Sequence, residues 1–207
     1  MSYVGNQLPN GFLSEWILDQ FPEGYRGYAV DVGASDGKSV NTTWALEKFH
    51  GWTVLSVEAN PGFKTLLQRE RAWVEMCACA AAPKDEAEFF INNDNPEAYS
   101  ALKLTNNATS QEYQKPWTKT KVPVRTVDQL MAKWDFPKMD ALCIDVEGGE
   151  IDVLKGCDID RWRPKVIIVE SWDSGYQYPY LAPLCYRLVA RSVGNDLYIR
   201  EEEPVVR

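Results

Sequence analysis

The most constraining feature of this sequence is a short apolar run that ends in a turn containing two glycines. Tyr28–Val32 is apolar apart from Asp31, and the turn Gly-Ala-Ser-Asp-Gly at 33–37 follows it directly. Helical periodicity then extends from about 40 to 49. A strand, a glycine turn and a helix in this order are typical of the first unit of a parallel sheet. The two glycines allow a ligand to approach the backbone closely.

Further apolar runs alternate with helical patterns along the rest of the chain. We predict strands at 52–57, 73–81, 88–91, 122–126, 141–146, 166–169 and 196–200. Helices are predicted at 62–71, 127–134, 151–157 and 181–193. Alternating strands and helices favour parallel pairing. The predicted fold class is therefore α/β, with a mostly parallel central sheet and helices on both faces.

The chain has 207 residues, which is enough for one substantial core and short for two. We predict a single domain over 1–207, in which 1–26 form an N-terminal helix and lead-in. From 92 to 121 the composition changes to Asn, Thr, Ser, Gln and Lys. A loop of that length is usually functional or disordered, so we predict a long polar loop there and consider it a candidate substrate lid.

Charge and composition argue against several classes of protein. The formal net charge is −8, and no two Lys or Arg residues are adjacent. Proteins that bind nucleic acids need basic side chains to neutralise phosphates, so we expect no nucleic-acid partner. No apolar stretch approaches the ~20 residues that span a bilayer, and no secretory signal is visible, so we expect a cytoplasmic protein without a membrane partner. The five cysteines suit reduced thiols in that compartment.

Acidic side chains stand at the ends of three predicted strands. Asp31 ends the first strand, Glu58 the second, and Asp145 a later one. Ligands of open parallel sheets bind outside these carboxyl ends, where a carboxylate such as Glu58 can accept hydrogen bonds from ribose hydroxyls. The turn spacing is G-x-x-x-G and not the G-x-G-x-x-G of dinucleotide sites. Acids beside the turn would repel a pyrophosphate but suit the ammonium and sulfonium groups of S-adenosylmethionine.

Several sequence blocks in a fixed order resemble the FkbM family of methyltransferases. The blocks are Asp31 to Gly37, Asn41-Thr42-Thr43-Trp44-Ala45-Leu46-Glu47, Gly51-Trp52, Val57-Glu58-Ala59-Asn60-Pro61, Ile144-Asp145-Val146-Glu147-Gly148-Gly149-Glu150 and Val153-Leu154-Lys155-Gly156. The resemblance extends from about 27 to 170. It implies a Rossmann-like methyltransferase fold, S-adenosylmethionine as the cofactor, and O-methylation, often of sugars or natural-product hydroxyls.

The same resemblance assigns roles to individual positions. Asp31, Gly33 and Gly37 would hold the amino acid end of the methyl donor, with Ser35 in the same turn. Glu58 would bind the ribose, with Ala59 beside it. Cys79 and Ala80 would lie near the adenine. The chain departs from the family pattern at Ser35, where Asn is common, at Gly149, where Ala is common, and in the long polar loop.

A hydroxyl is a weak nucleophile at neutral pH, so methyl transfer to it calls for a base or a metal. Asp145 is the predicted base, and strand alternation places Glu147 on the same side. A divalent metal held by Asp145, Glu147 and Glu170 is an alternative that we do not favour, and no metal residue is predicted. Aromatic side chains in the polar loop and after Glu170 favour a sugar or glycan, or another small molecule, as acceptor.

Two other classes of function remain open at this point. One is an NAD(P)-dependent oxidoreductase, which the missing G-x-G-x-x-G disfavours. The other is a catalytically silent Rossmann-like module that binds a nucleotide without turnover.

Overall fold

The computed structural model describes residues 12–39, 41–94, 100–102, 117–171, 175–192 and 194–201. Strands and helices alternate through these ranges. The strands are β1 (Tyr28–Val32), β2 (Thr53–Glu58), β3 (Trp73–Met76), β4 (Ala78–Cys79), β5 (Lys84–Asn92), β6 (Trp117–Arg125), β7 (Ala141–Ile144), β8 (Val166–Glu170), β9 (Tyr186–Ser192) and β10 (Asn195–Arg200). The α-helices are α1 (Phe12–Leu18), α2 (Trp44–His50), α3 (Lys64–Glu70), α4 (Val127–Lys133), α5 (Glu150–Lys155), α6 (Ile159–Trp162) and α7 (Tyr178–Leu181).

Seven strands form the central sheet, in the order β3-β2-β1-β7-β8-β10-β9. The five strands from β3 to β8 pair in parallel, whereas β10 is antiparallel to both of its neighbours. Ala29 of β1 lies opposite Val54 on one side and Ala141 on the other, so β1 occupies the middle of the parallel part. The mostly parallel α/β fold predicted from the sequence is confirmed.

Alternate side chains of β1 point into two separate cores on opposite faces of the sheet. Ala29 belongs to a core that also contains residues of α1 and α2, namely Leu13, Trp16, Ile17 and Leu46. Val30 belongs to a core that contains residues of α4 and α5, namely Val127, Leu130, Val153 and Leu154. Because successive side chains of a strand point to opposite faces, one apolar strand serves both cores.

A second sheet of three strands, in the order β4-β6-β5, lies beside the central sheet. The single strand predicted at 73–81 is wrong in this respect, because it divides at Cys77. β3 pairs with β2 in the central sheet, whereas β4 pairs with β6. β5 and β6 are antiparallel over most of their length, from Asn92 opposite Trp117 to Lys84 opposite Val124.

The predicted polar loop is shorter than 92–121. Asn92 is the last residue of β5, and 117–121 belong to β6, where they are exposed or half-buried and pair with β5. Ala101 bridges to Phe90. The rest of the predicted loop, 95–99 and 103–116, lies outside the described residues, as do 1–11 of the predicted lead-in. The predictions of a substrate lid and of a single domain remain predictions.

The helix predicted at 181–193 is wrong, because most of this segment is strand β9. The apolar residues of the segment fit a helical spacing, but short helical turns end at Cys185, whose φ is 65°. From Tyr186 onward the chain pairs with β10, as far as Ser192 opposite Asn195. Backbone pairing along a neighbouring strand outweighs a local helical pattern of this length.

A buried polar network joins the end of β1 to α2 and α3. Asp31 Oδ2 accepts hydrogen bonds from Asn41 Nδ2 (2.9 Å) and Thr43 Oγ1 (2.6 Å). Arg71 is 4% exposed; it donates to Asn41 Oδ1 (2.9 Å) and Thr43 Oγ1 (2.7 Å) and forms an ion pair with Glu47 at 2.6 Å. Arg71 Nη1 also lies 3.8 Å from Asp31 Oδ2. One guanidinium thus compensates two carboxylates in the interior.

Replacing Arg71 with Met should lower the free energy of unfolding by about 3–5 kcal/mol, because the buried Asp31 and the half-buried Glu47 lose their compensating charge. Urea unfolding at pH 7 measures this change. Arg69→Met is the matched control: its side chain is 68% exposed, so its ion pair with Glu70 should contribute no more than about 1 kcal/mol. Equal destabilisation by the two substitutions would contradict the structural role of Arg71.

Candidate active site

A cavity of about 680 Å³ opens at the carboxyl ends of the parallel strands. Gly33 follows β1, Glu58 ends β2, Asp145 follows β7 and Glu170 ends β8, and all four line the cavity. This is the edge of an open parallel sheet where ligands bind. The volume lies within the range of small-molecule sites.

Most of the residues predicted to form the site meet in this cavity. The predicted residues that line it are Gly33, Ser35, Glu58, Ala59, Cys79, Ala80, Asp145 and Glu147. Asp31 and Gly37 are not among the described residues that line it. Asp31 is 5% exposed and turns its carboxylate toward Asn41 and Thr43. Its direct contact with a donor therefore remains a prediction, whereas its hydrogen bonds fix the strand end.

Gly33 is the position at which the glycine turn meets the neighbouring strand end. Its φ is 91°, and a Cβ added there would lie 1.7 Å from the carbonyl oxygen of Asp145. No side chain larger than hydrogen fits without displacing the backbone. Gly33 N also donates to Val57 O at 2.9 Å, and Asp145 N donates to Val32 O at 2.9 Å. The ends of three strands are thereby held together on the cavity floor.

Gly37 has a different reason to be glycine. Its φ is 81°, and a Cβ would lie 2.6 Å from Leu67 Cδ1 and 2.8 Å from Arg71 Cγ. The end of the turn therefore packs directly against α3 and the buried arginine. Gly37 therefore allows the turn to pack closely against α3 and Arg71.

Glu58 connects the end of β2 to the glycine turn. Its Oε2 accepts a hydrogen bond from Ser35 N at 2.8 Å, and its Oε1 accepts one from Asn60 N at 2.6 Å. Burial raises the pKa of Glu58 to about 7, although backbone hydrogen bonds from Asn60, Ser35 and Ala59 oppose that increase. Each carboxylate oxygen retains a lone pair, so the group can accept further hydrogen bonds from a ligand.

The cavity has an apolar wall beside Glu58. The small hydrophobic and aromatic residues of this wall include Ala59, Phe63, Ala78, Cys79, Ala80 and Phe89. A hydrogen bond with Cys77 and burial raise the pKa of the Cys79 thiol well above its usual range, so Cys79 is uncharged at neutral pH. An apolar slot next to a carboxylate can accommodate a flat heterocycle joined to a sugar.

Three carboxyl groups gather on the other side of the glycine turn. One oxygen from each of Asp145, Glu147 and Glu170 lies within 4.8 Å of the others. Desolvation raises the pKa of Glu170 strongly, and the negative charge of Asp145 adds to the increase. Asp145 is exposed to the cavity, yet the surrounding protein desolvates it and raises its pKa to about 6. A negative charge on Asp145 therefore opposes ionisation of Glu170.

The described aromatic side chains that suggested a sugar ligand lie elsewhere. Trp117, Tyr176, Tyr178 and Tyr180 do not line the cavity in the described part of the chain, and Tyr176 is 65% exposed. Tyr180 packs against the body of the protein, where its hydroxyl donates to Leu154 O at 3.3 Å. The remaining rings of the polar loop and Trp172 lie outside the described residues.

Two residues that were not predicted also contribute to the cavity. Asn41 lines it and is the same residue that bonds Asp31. Phe63 also lines the cavity and is 7% exposed. It belongs to a turn in which Asn60 Oδ1 accepts a hydrogen bond from Gly62 N at 2.9 Å. The Asn-Pro-Gly sequence after the second strand is a signal for this turn.

In the described part of the chain, no helix is long and apolar enough to cross a membrane.

The sheet order and the cavity at the strand ends define an α/β protein with a Rossmann-like fold. Residues 31–182 match the family described as Methyltransferase FkbM domain, which is well over half of the chain. The chain therefore belongs to the FkbM methyltransferase family.

One solved structure supports the same fold, and two others are more distant. The crystal structure of Methyltransferase FkbM from Methylobacillus flagellatus KT has a TM-score of 0.55 and 17% identity, and the match covers 84% of this chain and 43% of that one. The chain thus spans less than half of that relative. Precorrin-6y C5,15-methyltransferase from Geobacter metallireducens GS-15 has a TM-score of 0.45 and 13% identity, over 95% of this chain and 90% of that one.

A third structure, MtNAS in complex with MTA and tNA, has a TM-score of 0.41 and 15% identity, over 91% of this chain and 58% of that one. The comparison with curated proteins finds no match. The structure from Methylobacillus flagellatus KT supports the fold and no more.

Gly33→Ala should destabilise the protein far more than a glycine substitution that introduces backbone strain alone. Gly24→Ala is the matched control, because its φ is 74° and nothing lies within 4 Å of its added Cβ. We expect a loss of about 1 kcal/mol for the control and at least about 3 kcal/mol for Gly33→Ala, which adds the clash with Asp145 O. Thermal and urea unfolding measure both, and similar losses would refute the close approach.

Proposed function

We propose that this chain is an S-adenosylmethionine-dependent O-methyltransferase that acts on a hydroxyl of a small molecule, with a sugar or glycan as the favoured acceptor. The proposal is supported by the family, by the position of the cavity on the sheet, and by the charges that line the cavity.

The charge of the cavity is the observation that carries the choice of cofactor. In the described part of the chain, its lining includes five acidic side chains, Glu58, Asp145, Glu147, Asp152 and Glu170, and one basic side chain, Lys84. A pyrophosphate would be repelled by this set, whereas a sulfonium and an ammonium group would be attracted. The lining thus favours S-adenosylmethionine over a nicotinamide dinucleotide.

We propose the following position for the donor in the cavity. The adenine is proposed to lie against Ala59, Cys79 and Ala80, and the two ribose hydroxyls to donate to Glu58. Gly33 and Ser35 leave their backbone open to the amino acid end, because Gly33 has no side chain. Asp31 and Gly37 are proposed to act indirectly, by holding the turn against α2 and α3.

The acceptor is proposed to enter beside the carboxyl groups of Asp145, Glu147 and Glu170. S-adenosylmethionine supplies a methyl group that leaves its sulfur during in-line attack by a hydroxyl oxygen. Asp145 is exposed to the cavity at the end of β7, where its carboxylate can accept the hydroxyl proton. Glu147 lies beside it and is proposed to orient the same hydroxyl. Alignment of the two reactants supplies much of the rate enhancement in such a reaction.

Two alternatives are distinguished by direct binding and turnover experiments. A silent module would bind S-adenosylhomocysteine but methylate nothing. An oxidoreductase would be stabilised against heat by NADH or NADPH, since a ligand that binds the folded state raises Tm.

Glu58→Gln should weaken the binding of S-adenosylhomocysteine by roughly tenfold to hundredfold, because charge-assisted hydrogen bonds to the ribose are lost. The raised pKa of Glu58 also predicts a pH dependence. At pH 6 the group is mostly protonated and at pH 8 ionised, so wild-type affinity should increase by about tenfold between them. Isothermal titration calorimetry measures both effects.

The matched control is Glu86→Gln, whose side chain is 63% exposed and pairs with Lys121. It should retain both the affinity and the pH dependence. Glu58→Gln should lose most of the pH dependence, because the carboxyl group that titrates beside the ribose is removed. An affinity of the wild type that does not vary with pH would count against the assignment of the ribose to Glu58.

Asp145→Asn should bind S-adenosylhomocysteine normally but lose turnover by at least about a hundredfold, because the acceptor proton has no carboxylate to move to. Transfer of a labelled methyl group from S-adenosylmethionine to a panel of monosaccharides and glycosides is the measurement. Glu86→Gln should methylate at the wild-type rate. Near-normal turnover by Asp145→Asn would remove Asp145 from the reaction, and methylation of none of these acceptors would remove sugars as the class.

A further inference from the structure

Asp145, Glu147 and Glu170 form an acid cluster with more carboxyl groups than binding of the methyl donor requires. Its three carboxyl oxygens lie within 4.8 Å of one another at the ends of β7 and β8. Like charges at this separation oppose one another. In the described part of the chain, no Lys or Arg forms an ion pair with Asp145 or Glu170 that would compensate the cluster. Lys84, the one basic residue of the lining described above, belongs to the second sheet.

A second observation indicates that the cluster accommodates a ligand. Glu170 is 8% exposed, and its Oε2 is buried without a hydrogen-bond partner among the described residues. A buried carboxyl oxygen that makes no hydrogen bond is unfavourable and calls for an explanation. Glu170 also lines the cavity, so a rotation of its side chain would turn this oxygen toward a ligand there.

We propose that Asp145, Glu147 and Glu170 bind one divalent cation of the oxygen-preferring class, Mg²⁺ or Mn²⁺, through one carboxylate oxygen each. The ligand set is made of carboxylates alone, which suits these hard cations and not zinc or copper. Two oxygens on one Mg²⁺ are about 3 Å apart in cis and about 4.2 Å apart in trans positions, given its bond lengths. Carboxylates that already lie within 4.8 Å need only small rotations to reach that geometry.

The cation would act on the acceptor, and this role rests on the proposed function. Three carboxylates leave coordination positions open, and the reacting hydroxyl oxygen can occupy one of them. The cation would lower the pKa of that hydroxyl, and its proton would pass to the Asp145 oxygen that does not bind the cation. The oxygen–carbon bond then forms as the carbon–sulfur bond breaks, which yields the methyl ether and neutral S-adenosylhomocysteine. With all three carboxylates ionised, the loaded cluster would retain a net negative charge beside the sulfonium.

Cation binding can be tested without donor or acceptor. The protein is first treated with a chelator, which is then removed. Binding of MgCl₂ and of MnCl₂ is measured by calorimetry. Binding of Mn²⁺ is also measured by the loss of the electron paramagnetic resonance signal of the unbound ion. We expect one site per chain. Glu170→Gln should weaken binding by at least about tenfold, because a neutral amide replaces a carboxylate ligand.

Asp152→Asn is the matched control, because Asp152 lines the same cavity but is not part of the cluster. It should bind the cation within about twofold of the wild type. Asp145→Asn provides a second ligand variant if Glu170→Gln does not fold, as judged by circular dichroism. No binding by the wild type at millimolar cation, or unchanged binding by both ligand variants, would overturn the cation site.

The two proposals fail separately. Methyl transfer that persists in excess chelator, together with absent cation binding, would overturn the cation site and leave the methyltransferase assignment intact. Cation binding that depends on Glu170, in a protein that methylates no acceptor, would support the cation site as a binding site and contradict the proposed function.

Discussion

The contact between Gly33 and the carbonyl of Asp145 determines the layout of the cavity. The residues that directly follow two adjacent parallel strands lie so close that a Cβ at Gly33 would lie 1.7 Å from Asp145 O. This approach places the glycine turn directly beside the acid cluster. The turn and the acids therefore line one cavity. The buried contacts of Asp31 and Arg71 then support the turn from the opposite side.

The central sheet could be predicted because its strands carry the pattern of a fully buried parallel sheet. The acids at the strand ends were predicted for the same reason: Glu58 and Asp145 each follow an apolar run, and carboxyl ends of parallel strands converge. Most predicted site residues line one cavity. Asp31 shows the limit of this reasoning, since a strand-end acid can turn inward to buried donors as readily as outward to a ligand.

The remaining features depend on contacts between distant segments. Nothing in the local sequence of Arg71 distinguishes it from the exposed Arg69, and only the packing of α3 against the turn buries it. The segment from Tyr186 to Ser192 has helical spacing, but its antiparallel pairing with β10 makes it a strand. The break at Cys77 follows from a partner as well, because β4 finds β6 more than forty positions later in the chain.

The second sheet gives the cavity a wall with its own hydrogen bonding. β5 and β6 pair with each other and with β4, and only Cys77 separates β4 from the end of β3. Phe89 and Ala87 of β5 face the cavity from this ribbon. Substitutions at these positions would alter the shape of the chamber while the register of the central strands stays unchanged. The apolar wall beside Glu58 can therefore vary along β5 while the acids at the ends of the central strands keep their positions.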